Sequence, residues 1–301
     1  MIQVNGLCKG YNGSSYVVTN IDMQVEKGTI HGLIGHNGSG KTTIIKCLTG
    51  IFPPDMGEVL VNGEQVYNNP AVKAGIGYVA DTNQMFRGYS MKKMADFYSK
   101  IFPDFSMEDF YSYAKLFEIG LEKKVKQMSK GQQMRASFVL NLARHPKVMI
   151  LDEPTAGLDA IAKKELLDCL VLAVENEEMT VVISSHHLGE LEKICDNITV
   201  LRDGRVAIED TLDEVTGQIV KYQVVFPEGA PKELYEWEAL CHISNVGSVY
   251  TVILKHDVEE FSEQMKALGA VMVEEMPVGL EESFIYMNQK EENGKGERVY
   301  E

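Results

Sequence analysis

The chain has 301 residues, enough for one large or two modest domains, and 45% of them are hydrophobic, as in an ordinary globular core. No run of about 18 apolar residues is present, so we expect no membrane-spanning helix in the chain itself. The first residues, Met1 to Gly13, have neither a basic start nor an apolar block, so no signal peptide is expected. The formal net charge is −15 without basic patches, which argues against binding to a nucleic-acid backbone.

Two strands are predicted at the start of the chain, over residues 1–4 and 17–25, around a turn at residues 9–13. Tyr11 lies in this turn. Its flat ring is suited to stacking on an adenine base, because a π-face recognises a base without hydrogen bonds. The alternative is a turn tyrosine packed on its own hairpin, and the residues taken alone favour that alternative.

A glycine-rich motif follows these strands and fits the phosphate-binding pattern G-x-x-x-x-G-K-[ST]. It consists of Gly35, His36, Asn37, Gly38, Ser39, Gly40, Lys41, Thr42 and Thr43. Residues 29–34 before it have the composition of a short apolar strand, and residues 42–48 after it those of the first turns of a helix. Backbone N–H groups and the helix dipole form an anion site at such a junction.

Four positions of this motif indicate that the ligand is a nucleoside triphosphate. Gly38 and Gly40 let the backbone approach the phosphates, which side chains would block. Lys41 is placed to reach the β- and γ-phosphates, and the Thr42 hydroxyl is placed to bind Mg²⁺. The alternative is a glycine-rich surface turn that happens to end in Lys-Thr, but the flanking strand and helix favour the phosphate-binding loop.

The segment after this loop contains a strand end and then a helical region. Residues 76–80 are predicted to form a strand that ends at Asp81, and a carboxylate at the carboxyl end of a strand in an α/β sheet faces the ligand crevice. From about residue 90 to residue 125, apolar residues recur at spacings of three and four, which predicts helices. Their apolar stripe is either core or a surface that docks a partner.

A second group of chemically active residues begins at Ser129. Ser129 is a predicted helix N-cap, with Gln132 three residues later in a capping-box arrangement. A continuous apolar strand at residues 148–151 then ends in Asp152 and Glu153. Neighbouring strand residues point in opposite directions, so one carboxylate can hold the water shell of a metal while the other contacts a nucleophilic water. The alternative is a pair of surface charges after a buried strand.

Another buried strand, predicted over residues 180–185, ends at His186 and His187. A histidine at a strand end can hydrogen-bond a γ-phosphate or a water, or be satisfied by backbone groups, and the residues alone do not decide between these roles. A helix is predicted before this strand, over residues 160–175, and a hairpin with an Asp-Gly turn after it, over residues 198–208.

The last part of the chain has a different character. Residues 211–301 contain 18 Asp and Glu against 7 Lys and Arg, a net charge of −11. Strands are predicted at residues 220–226, 250–254 and 271–275, with a helix at residues 258–268. This pattern indicates a small α+β domain.

The order and spacing of four segments resemble the ATP-binding subunits of ABC transporters. These segments are the loop Gly35–Thr43, the serine-x-glycine-glutamine element within Ser129–Gln133, the region Val148–Asp159 and the pair Ser185-His186. The resemblance covers about residues 1–210. The serine-x-glycine-glutamine element is its most specific part, because kinases and GTPases lack it. The acidic C-terminal part is similar to those of bacterial ABC-2 type and drug- or peptide-exporting systems.

This resemblance implies roles for residues around the nucleotide. Tyr11 looks like the aromatic residue that stacks on adenine. Asp152 would hold Mg²⁺ through water, and Glu153 would be the catalytic base that polarises the attacking water. His186 looks like the switch histidine that contacts the γ-phosphate.

The resemblance also implies that the ATPase is a dimer. Ser129, Gly131 and Gln132 would cap the γ-phosphate of ATP bound to the opposite subunit, and Asp159 would lie at the dimer interface. Catalysis would then need two subunits face to face with ATP between them, since phosphoryl transfer depends mostly on positioning and charge stabilisation. The helical subdomain of about residues 84–127 would dock a separate transmembrane permease.

Three positions depart from the family pattern. Asp81 stands where the family usually has Gln, so its carboxylate can approach Mg²⁺ but cannot donate a hydrogen bond, and Gln84 is a candidate substitute. Lys130 replaces a common Gly. It either adds positive charge near the phosphates or points to solvent, and we expect the second. His187, next to the switch position, leaves that assignment open between two histidines.

We therefore predict an α/β P-loop NTPase domain of the ABC ATPase type over residues 1–210, with a mixed sheet. A small α+β accessory domain at residues 211–288 and a mobile tail at residues 289–301 are expected to follow. The predicted function is an ATP-binding and ATP-hydrolysing subunit with ATP and Mg²⁺ as cofactors, which powers transport through its permease. Alternatives are a soluble ABC-type ATPase without a membrane partner, or a catalytically weak regulatory subunit, suggested by Asp81.

The predicted location is the cytoplasm, at the inner face of the cell membrane through the partner. The five cysteines are far apart, with no spacing typical of a metal or redox site, which fits a reducing compartment.

Overall fold

The computed structural model describes residues 1–11, 13, 15–82, 85–255 and 260–292, with side chains up to residue 286. By its contacts the chain divides into two compact units, Met1–Asp210 and Thr211–Glu301. Gln84 and the predicted tail after residue 292 lie outside the described residues. In the described part of the chain, no helix combines the length and apolar character needed to cross a bilayer.

Ten strands form two sheets in the first part of the chain. They are β1 (Ile2–Gly10), β2 (Tyr16–Val25), β3 (Ile30–Gly35), β4 (Met56–Val61), β5 (Glu64–Gln65), β6 (Ile76–Val79), β7 (Val148–Asp152), β8 (Thr180–Ser185), β9 (Asn197–Arg202) and β10 (Arg205–Thr211). One sheet is antiparallel with the order β2-β1-β4-β5, and the other has the order β10-β9-β3-β8-β7-β6. In the second sheet β9, β3, β8, β7 and β6 are parallel neighbours.

The helices of this unit connect and cover these strands. They are α1 (Lys41–Leu48), α2 (Pro70–Ala74), α3 (Met91–Ile101), α4 (Met107–Leu116), α5 (Lys130–Leu142), α6 (Ala160–Glu177) and α7 (Leu188–Leu191), with one 3₁₀ turn at Val125–Gln127. Helix α1 packs against strands of both sheets, and Val4 of β1, Leu33 of β3 and Ile44 of α1 belong to one buried cluster. The apolar strands β7 and β8 are buried along their whole length, as expected for central parallel strands.

Capping side chains define where four of these helices begin. Ser90, Ser106, Ser129 and Asp159 each accept a hydrogen bond from a backbone N–H in the first turn of α3, α4, α5 and α6 respectively. The capping box predicted at Ser129 is confirmed, and α5 begins at Lys130, the residue after this cap.

Helices α3 and α4, together with the 3₁₀ turn, form the helical lobe, defined here as residues 85–127. Both helices pack on α5, and aromatic rings fill the contacts, as where Phe117 meets Phe138 edge-on at 5.5 Å. At the base of the lobe the two chain segments are joined by backbone hydrogen bonds, from Val125 N to Tyr89 O and from Lys126 N to Arg87 O, both 3.0 Å.

The second unit is a four-stranded antiparallel sheet with short helices. Its elements are α8 (Leu212–Thr216), β11 (Ile219–Val225), α9 (Lys232–Tyr235), β12 (Leu240–Val246), β13 (Val249–Lys255), α10 (Phe261–Ala267), β14 (Met272–Met276) and α11 (Leu280–Glu292), and the strand order is β12-β13-β11-β14. Tyr222, Phe226, Leu234, Tyr250 and Phe261 contribute to its core. Strand β12 and helices α8, α9 and α11 were not predicted. The backbone is helical through residue 292, where the sequence predicts a mobile tail from residue 289.

Candidate functional site

The phosphate-binding loop joins the end of β3 to the start of α1, as the sequence predicts. At two of its glycines a side chain would clash with neighbouring atoms. A Cβ on Gly35 would lie 2.4 Å from Ser39 Oγ, and a Cβ on Gly40 would lie 2.4 Å from Val18 Cγ1. Gly38 and Gly40 also have φ of +86° and +110°, which L-residues with a side chain rarely adopt. The loop conformation therefore depends on glycine at these positions.

Lys41 lies folded back into this loop and is 6% exposed. Its Nζ donates to the carbonyl oxygens of Gly35 at 2.6 Å and His36 at 3.3 Å, and it lies 3.3 Å from Glu153 Oε1. A buried ammonium group held by carbonyl dipoles and one carboxylate is a compact positive charge at the centre of the loop.

Asp152 ends β7 beside the loop and is buried. Its Oδ1 accepts a hydrogen bond from Ser184 Oγ at 2.9 Å and one from Thr42 Oγ1 at 3.3 Å. Burial raises the pKa of Asp152, and the negative charges of Glu153 and Asp81 act in the same direction, while the hydrogen bonds from Ser184 and Thr42 oppose them. A hydroxyl and a carboxylate oxygen thus meet at the first residues of α1.

Glu153 follows β7 in the left-handed region, with φ of +50°. This turn places its carboxylate between Lys41 and His186. Oε1 faces Lys41 Nζ, and Oε2 accepts a hydrogen bond from His186 Nδ1 at 2.8 Å. The strained φ of a non-glycine residue is the kind of outlier that marks functional sites. His186, and not His187, contacts Glu153, while the ring of His187 lies against that of His186 with centroids 4.0 Å apart.

An open cavity lies at the phosphate-binding loop. Its described lining consists of Val17, Asn37, Gly38, Gly40, Lys41, Thr42, Thr43, Asp81 and Glu153. Most of the phosphate-binding loop and the two acidic strand ends are therefore brought together as predicted. Ser39 is buried beneath the loop, and His36 is exposed, with Nδ1 hydrogen-bonded to the carbonyl oxygen of Asn37 at 2.9 Å.

Tyr11 lies close to the loop. Its hydroxyl is hydrogen-bonded to Thr43 Oγ1 at 3.1 Å, and its ring meets Phe52 edge-on at 5.6 Å between centroids. The side chain is about one-third exposed, at 36%. The ring thus lies beside the phosphate-binding loop, and its stacking on adenine stays a prediction.

The serine-x-glycine-glutamine element lies at the start of α5. Ser129 and Gln132 satisfy one another, because Ser129 Oγ accepts from Gln132 N and Gln132 Oε1 accepts from Ser129 N, both at 3.2 Å. Gly131 leaves little room for a side chain, since its Cβ would lie 3.0 Å from the carbonyl oxygen of Gly157. Among the described residues that line the phosphate-loop cavity, none belongs to this Ser129–Gln132 element.

Asp159 lies after the loop that contacts this element and caps α6. Its Oδ1 accepts from Ile161 N at 3.1 Å and from Ala162 N at 3.0 Å, and these backbone hydrogen bonds hold the pKa of Asp159 below its ordinary value. Helix capping is therefore an established structural contribution of Asp159, beside the predicted place at a dimer interface.

The side chain of Lys130 is 60% exposed, in line with the expectation that it points to solvent. Its Nζ also donates to Asp81 Oδ1 at 2.6 Å. The sequence did not predict this partner, because the two residues are 49 positions apart and the packing of α5 beside the end of β6 brings them together. Gln84, the candidate substitute for Asp81, lies outside the described residues.

Two further residues take part in the site although sequence reasoning did not single them out. Ser184 donates to Asp152 and also accepts from the Glu153 N–H at 3.0 Å, so it holds both acidic residues. The available signal was parallel pairing of two buried strands, in which Asp152 is the register partner of Ser184. The second of these residues is Lys123, whose Nζ donates a hydrogen bond to Gln132 Oε1 at 2.8 Å.

Comparison with known proteins decides the family. The sequence profile described as "ABC transporter" matches residues 18–156. The chain is 32% identical over 285 residues to the ABC transporter ATP-binding protein YtrB of Bacillus subtilis (strain 168), covering 95% of this chain and 97% of YtrB. The chain belongs to the ABC transporter ATP-binding proteins. It is therefore an ABC ATPase, the ATP-binding subunit of a transporter.

Solved structures agree with this assignment of the ABC ATPase fold. The structure of cbiO1 from Clostridium perfringens, described as part of the ABC transporter complex cbiONQ, is 27% identical. It matches with a TM-score of 0.61 over 71% of this chain and 89% of cbiO1. A dimeric structure of MJ0796, a bacterial ABC transporter cassette, is 24% identical and shares the fold, with a TM-score of 0.65 over 70% of this chain and 99% of that one. The predicted family, fold class and ATPase function are confirmed.

Proposed function

We propose that two copies of this ABC ATPase, or one copy and a related subunit, hydrolyse Mg²⁺-ATP between them and drive a separate transmembrane subunit. The observation that carries the proposal is the division of the predicted site into two parts. Lys41, Thr42 and Glu153 line one cavity, and Asp152 accepts a hydrogen bond from Thr42, whereas the Ser129–Gln132 element is absent from the described lining. A second subunit would supply that element, as in the cassette fold whose MJ0796 member is described as dimeric.

The chemistry of the donor atoms fits Mg²⁺. Thr42 Oγ1 and Asp152 Oδ1 lie 3.3 Å apart at the helix N-terminus, and Mg²⁺ in phosphate sites is commonly held by one or two carboxylates or hydroxyls together with substrate phosphates and water. In this proposal Thr42 and Asp152 hold the ion, and Asp81 at the cavity wall contacts it through water. The ion would supply neutralisation of the charge that develops on the transferred phosphoryl group.

The residues of this chain have distinct tasks in the proposed reaction. Lys41 exchanges its carbonyl partners for the β- and γ-phosphates, because a charge-assisted contact to phosphate is stronger than one to a neutral carbonyl. Glu153 accepts the proton of the attacking water. His186 positions Glu153, since its Nδ1–H already donates to the carboxylate.

The tautomer of His186 limits its second predicted task. With the Nδ1–H donating to Glu153, a neutral ring has only an acceptor at Nε2. Donation to a γ-phosphate therefore requires the doubly protonated ring, or a turn of the ring away from Glu153. The contact between His186 and Glu153 would be the resting arrangement, and contact with the γ-phosphate the active one.

The helical lobe offers the surface for the transmembrane subunit. A groove between the lobe and the end of β6 is lined by Ile51, Tyr78, Ala80, Met85, Phe86, Met94, Phe97, Tyr98, Ser137 and Asn141. Phe86 and Ile51 remain about half exposed in it, at 50% and 48%. Apolar side chains around a groove are typical of a protein-binding surface. We propose that the chain lies at the inner face of the membrane through this contact.

The test uses the Glu153→Gln substitution, which removes the base but preserves the shape of the side chain. We expect the variant to bind ATP as wild type does, to lose about a hundredfold or more in hydrolysis rate, and to elute as an ATP-dependent dimer in size-exclusion chromatography with light scattering. Glu122→Gln, an exposed glutamate of the helical lobe, is the matched control and should behave as wild type. A monomer at saturating Mg²⁺-ATP would contradict the sandwiched dimer.

A second measurement tests the transmembrane subunit. The tagged chain is captured from detergent-solubilised membranes, and co-purifying proteins are identified by mass spectrometry. We expect a stoichiometric polytopic partner that is lost in the Phe86→Glu variant but kept in Glu122→Gln. Recovery from the soluble fraction alone would favour the soluble ABC-type ATPase instead.

A further inference from the structure

The contact between Asp81 and Lys130 joins two of the positions at which this chain departs from the family pattern. Asp81 follows β6, and Lys130 is the first residue of α5, directly after the Ser129 cap. Their side chains are 44% and 60% exposed, and the Nζ to Oδ1 distance is 2.6 Å. An ion pair this exposed contributes little to the stability of the fold. The pair matters because Asp81 lines the phosphate-loop cavity and Lys130 belongs to the Ser129–Gln132 element.

Asp81 is part of the wall of the proposed nucleotide site. It lines the phosphate-loop cavity with Lys41, Thr42 and Glu153. Burial raises the pKa of Asp152, and the negative charges of Glu153 and Asp81, which both line this cavity, add to that rise. Without a counter-ion, Asp81 would repel the triphosphate that Lys41 attracts. Lys130 is the cation that offsets this charge.

Lys130 lies within the part of the proposed site that a second subunit would complete. It stands between Ser129 and Gly131 in the element that is expected to cap ATP on the opposite subunit. The helical lobe leaves the core after Asp81 and returns to it before Lys130, so the ion pair closes the base of the lobe on the side of the nucleotide. The backbone hydrogen bonds at Tyr89 and Val125 close the same base further out.

We propose that Lys130 is a positioning residue that holds Asp81 as its counter-ion until Mg²⁺ and nucleotide bind, and that is then released from Asp81. The proposal rests on the Mg²⁺-dependent dimer proposed above. A divalent ion competes well with an exposed ammonium for a carboxylate, because its charge is doubled. Arrival of the metal at Asp81 would thus free the side chain inside the Ser129–Gln132 element, and one residue pair would connect the two halves of the site.

The test measures how strongly Mg²⁺ affects nucleotide binding. The dissociation constant of the slowly hydrolysed analogue adenylyl imidodiphosphate is determined for the full chain in EDTA and at saturating Mg²⁺, and the ratio of the two values is the Mg²⁺ effect. In Lys130→Gln we expect weaker binding in EDTA, because the charge of Asp81 is uncovered, and equal or tighter binding with Mg²⁺, because the competitor is gone. The Mg²⁺ effect should rise about two- to fivefold, the range that an exposed ion pair allows.

Three variants separate this effect from a general loss of positive charge. Lys126→Gln removes an exposed lysine of the same segment and should leave the Mg²⁺ effect near the wild-type value. Lys130→Arg should also retain it, because arginine can pair with Asp81. In an Asp81→Asn background, Lys130→Gln should cause no further change, because the pair is already broken.

Two results would overturn the proposal in distinguishable ways. An equal Mg²⁺ effect in Lys130→Gln and Lys126→Gln, with a normal effect in wild type, would reject the role of Lys130 alone. A wild-type chain that binds the analogue equally in EDTA and Mg²⁺ would reject the proposed metal site together with the role of Lys130. The dimer assay on Glu153→Gln reports independently on the proposed function.

Discussion

Replacing Gly40 of the phosphate-binding loop by alanine should destabilise the fold, and the structure separates two reasons. Its φ of +110° is unfavourable for any residue with a Cβ, which costs about 1–3 kcal/mol. A Cβ there would also lie 2.4 Å from Val18 Cγ1, and relieving such a contact in a packed interior costs about a further 1–3 kcal/mol. Gly40→Ala should therefore lower the free energy of unfolding by about 2–6 kcal/mol, the sum of these two costs.

Gly38→Ala is the matched control, because it carries the first cost without the second. Gly38 has φ of +86°, and nothing lies within 4 Å of the position of its Cβ. We expect Gly38→Ala to lower the free energy of unfolding by only about 1–3 kcal/mol. The difference between the two alanine variants isolates the contact with Val18. In a Val18→Ala background the contact with Cγ1 is removed, and the two glycine substitutions should then cost about the same.

The assay is urea unfolding followed by far-ultraviolet circular dichroism, together with equilibrium binding of ATP. Tryptophan fluorescence is unsuitable, because the one tryptophan, Trp237, lies in the second unit. ATP binding should also weaken more in Gly40→Ala than in Gly38→Ala, because relieving the contact with Val18 displaces the loop backbone whose N–H groups face the phosphates. Equal stability and ATP affinity for Gly38→Ala and Gly40→Ala would refute the reasoning, as would an undiminished difference between them in the Val18→Ala background.

Two further predictions concern charged groups. Lys41→Ala should weaken ATP binding about tenfold to a hundredfold, the loss expected for hydrogen bonds to a charged group; an unchanged affinity in equilibrium dialysis would contradict the assignment of the loop. His145 lies between Glu177 and Asp109, with each ring nitrogen 3.0 Å from a carboxylate oxygen. Burial lowers the pKa of His145, but the hydrogen bonds to Glu177 and Asp109 outweigh it and raise the value above 6.5. This group therefore stabilises the fold fully below pH 6.5, and the gain, less than about 1 kcal/mol for a partly exposed ring, disappears as the pH rises through the raised pKa. Urea midpoints of wild type should fall over that range relative to His145→Asn, and parallel pH profiles of the two proteins would count against the prediction.

Local patterns were read correctly where one short segment carries both the signal and its cause. The phosphate-binding loop needs a strand, glycines and a helix N-terminus in direct succession, and all of them lie within about 20 residues of chain. The capping box of Ser129 and Gln132 closes within a single helical turn. Strand β7 is apolar at every position before Asp152, because central parallel strands are covered on both faces.

The second unit shows where local patterns fail. Strand β12 lies at the edge of its sheet and is only partly buried, so its residues do not alternate between apolar and polar. Helices α8 and α9 have five and four residues, too few to show a helical period. Helix α11 begins at Leu280 and continues to Glu292 through a polar stretch, which composition alone assigned to a tail.

What the sequence by itself determined was the identity of the chemistry. It placed Lys41, Thr42, Asp152 and Glu153 in recognisable segments, and the family assignment followed from their order. Only the tertiary structure decided which side chains contact one another. Ser184 meets Asp152 because β7 and β8 pair in parallel register, and Lys130 meets Asp81 because α5 begins beside the end of β6. Such contacts join residues about 30 to 50 positions apart, and a periodic or motif signal extends over only a few residues, so the packing of the sheet and its helices had to supply them.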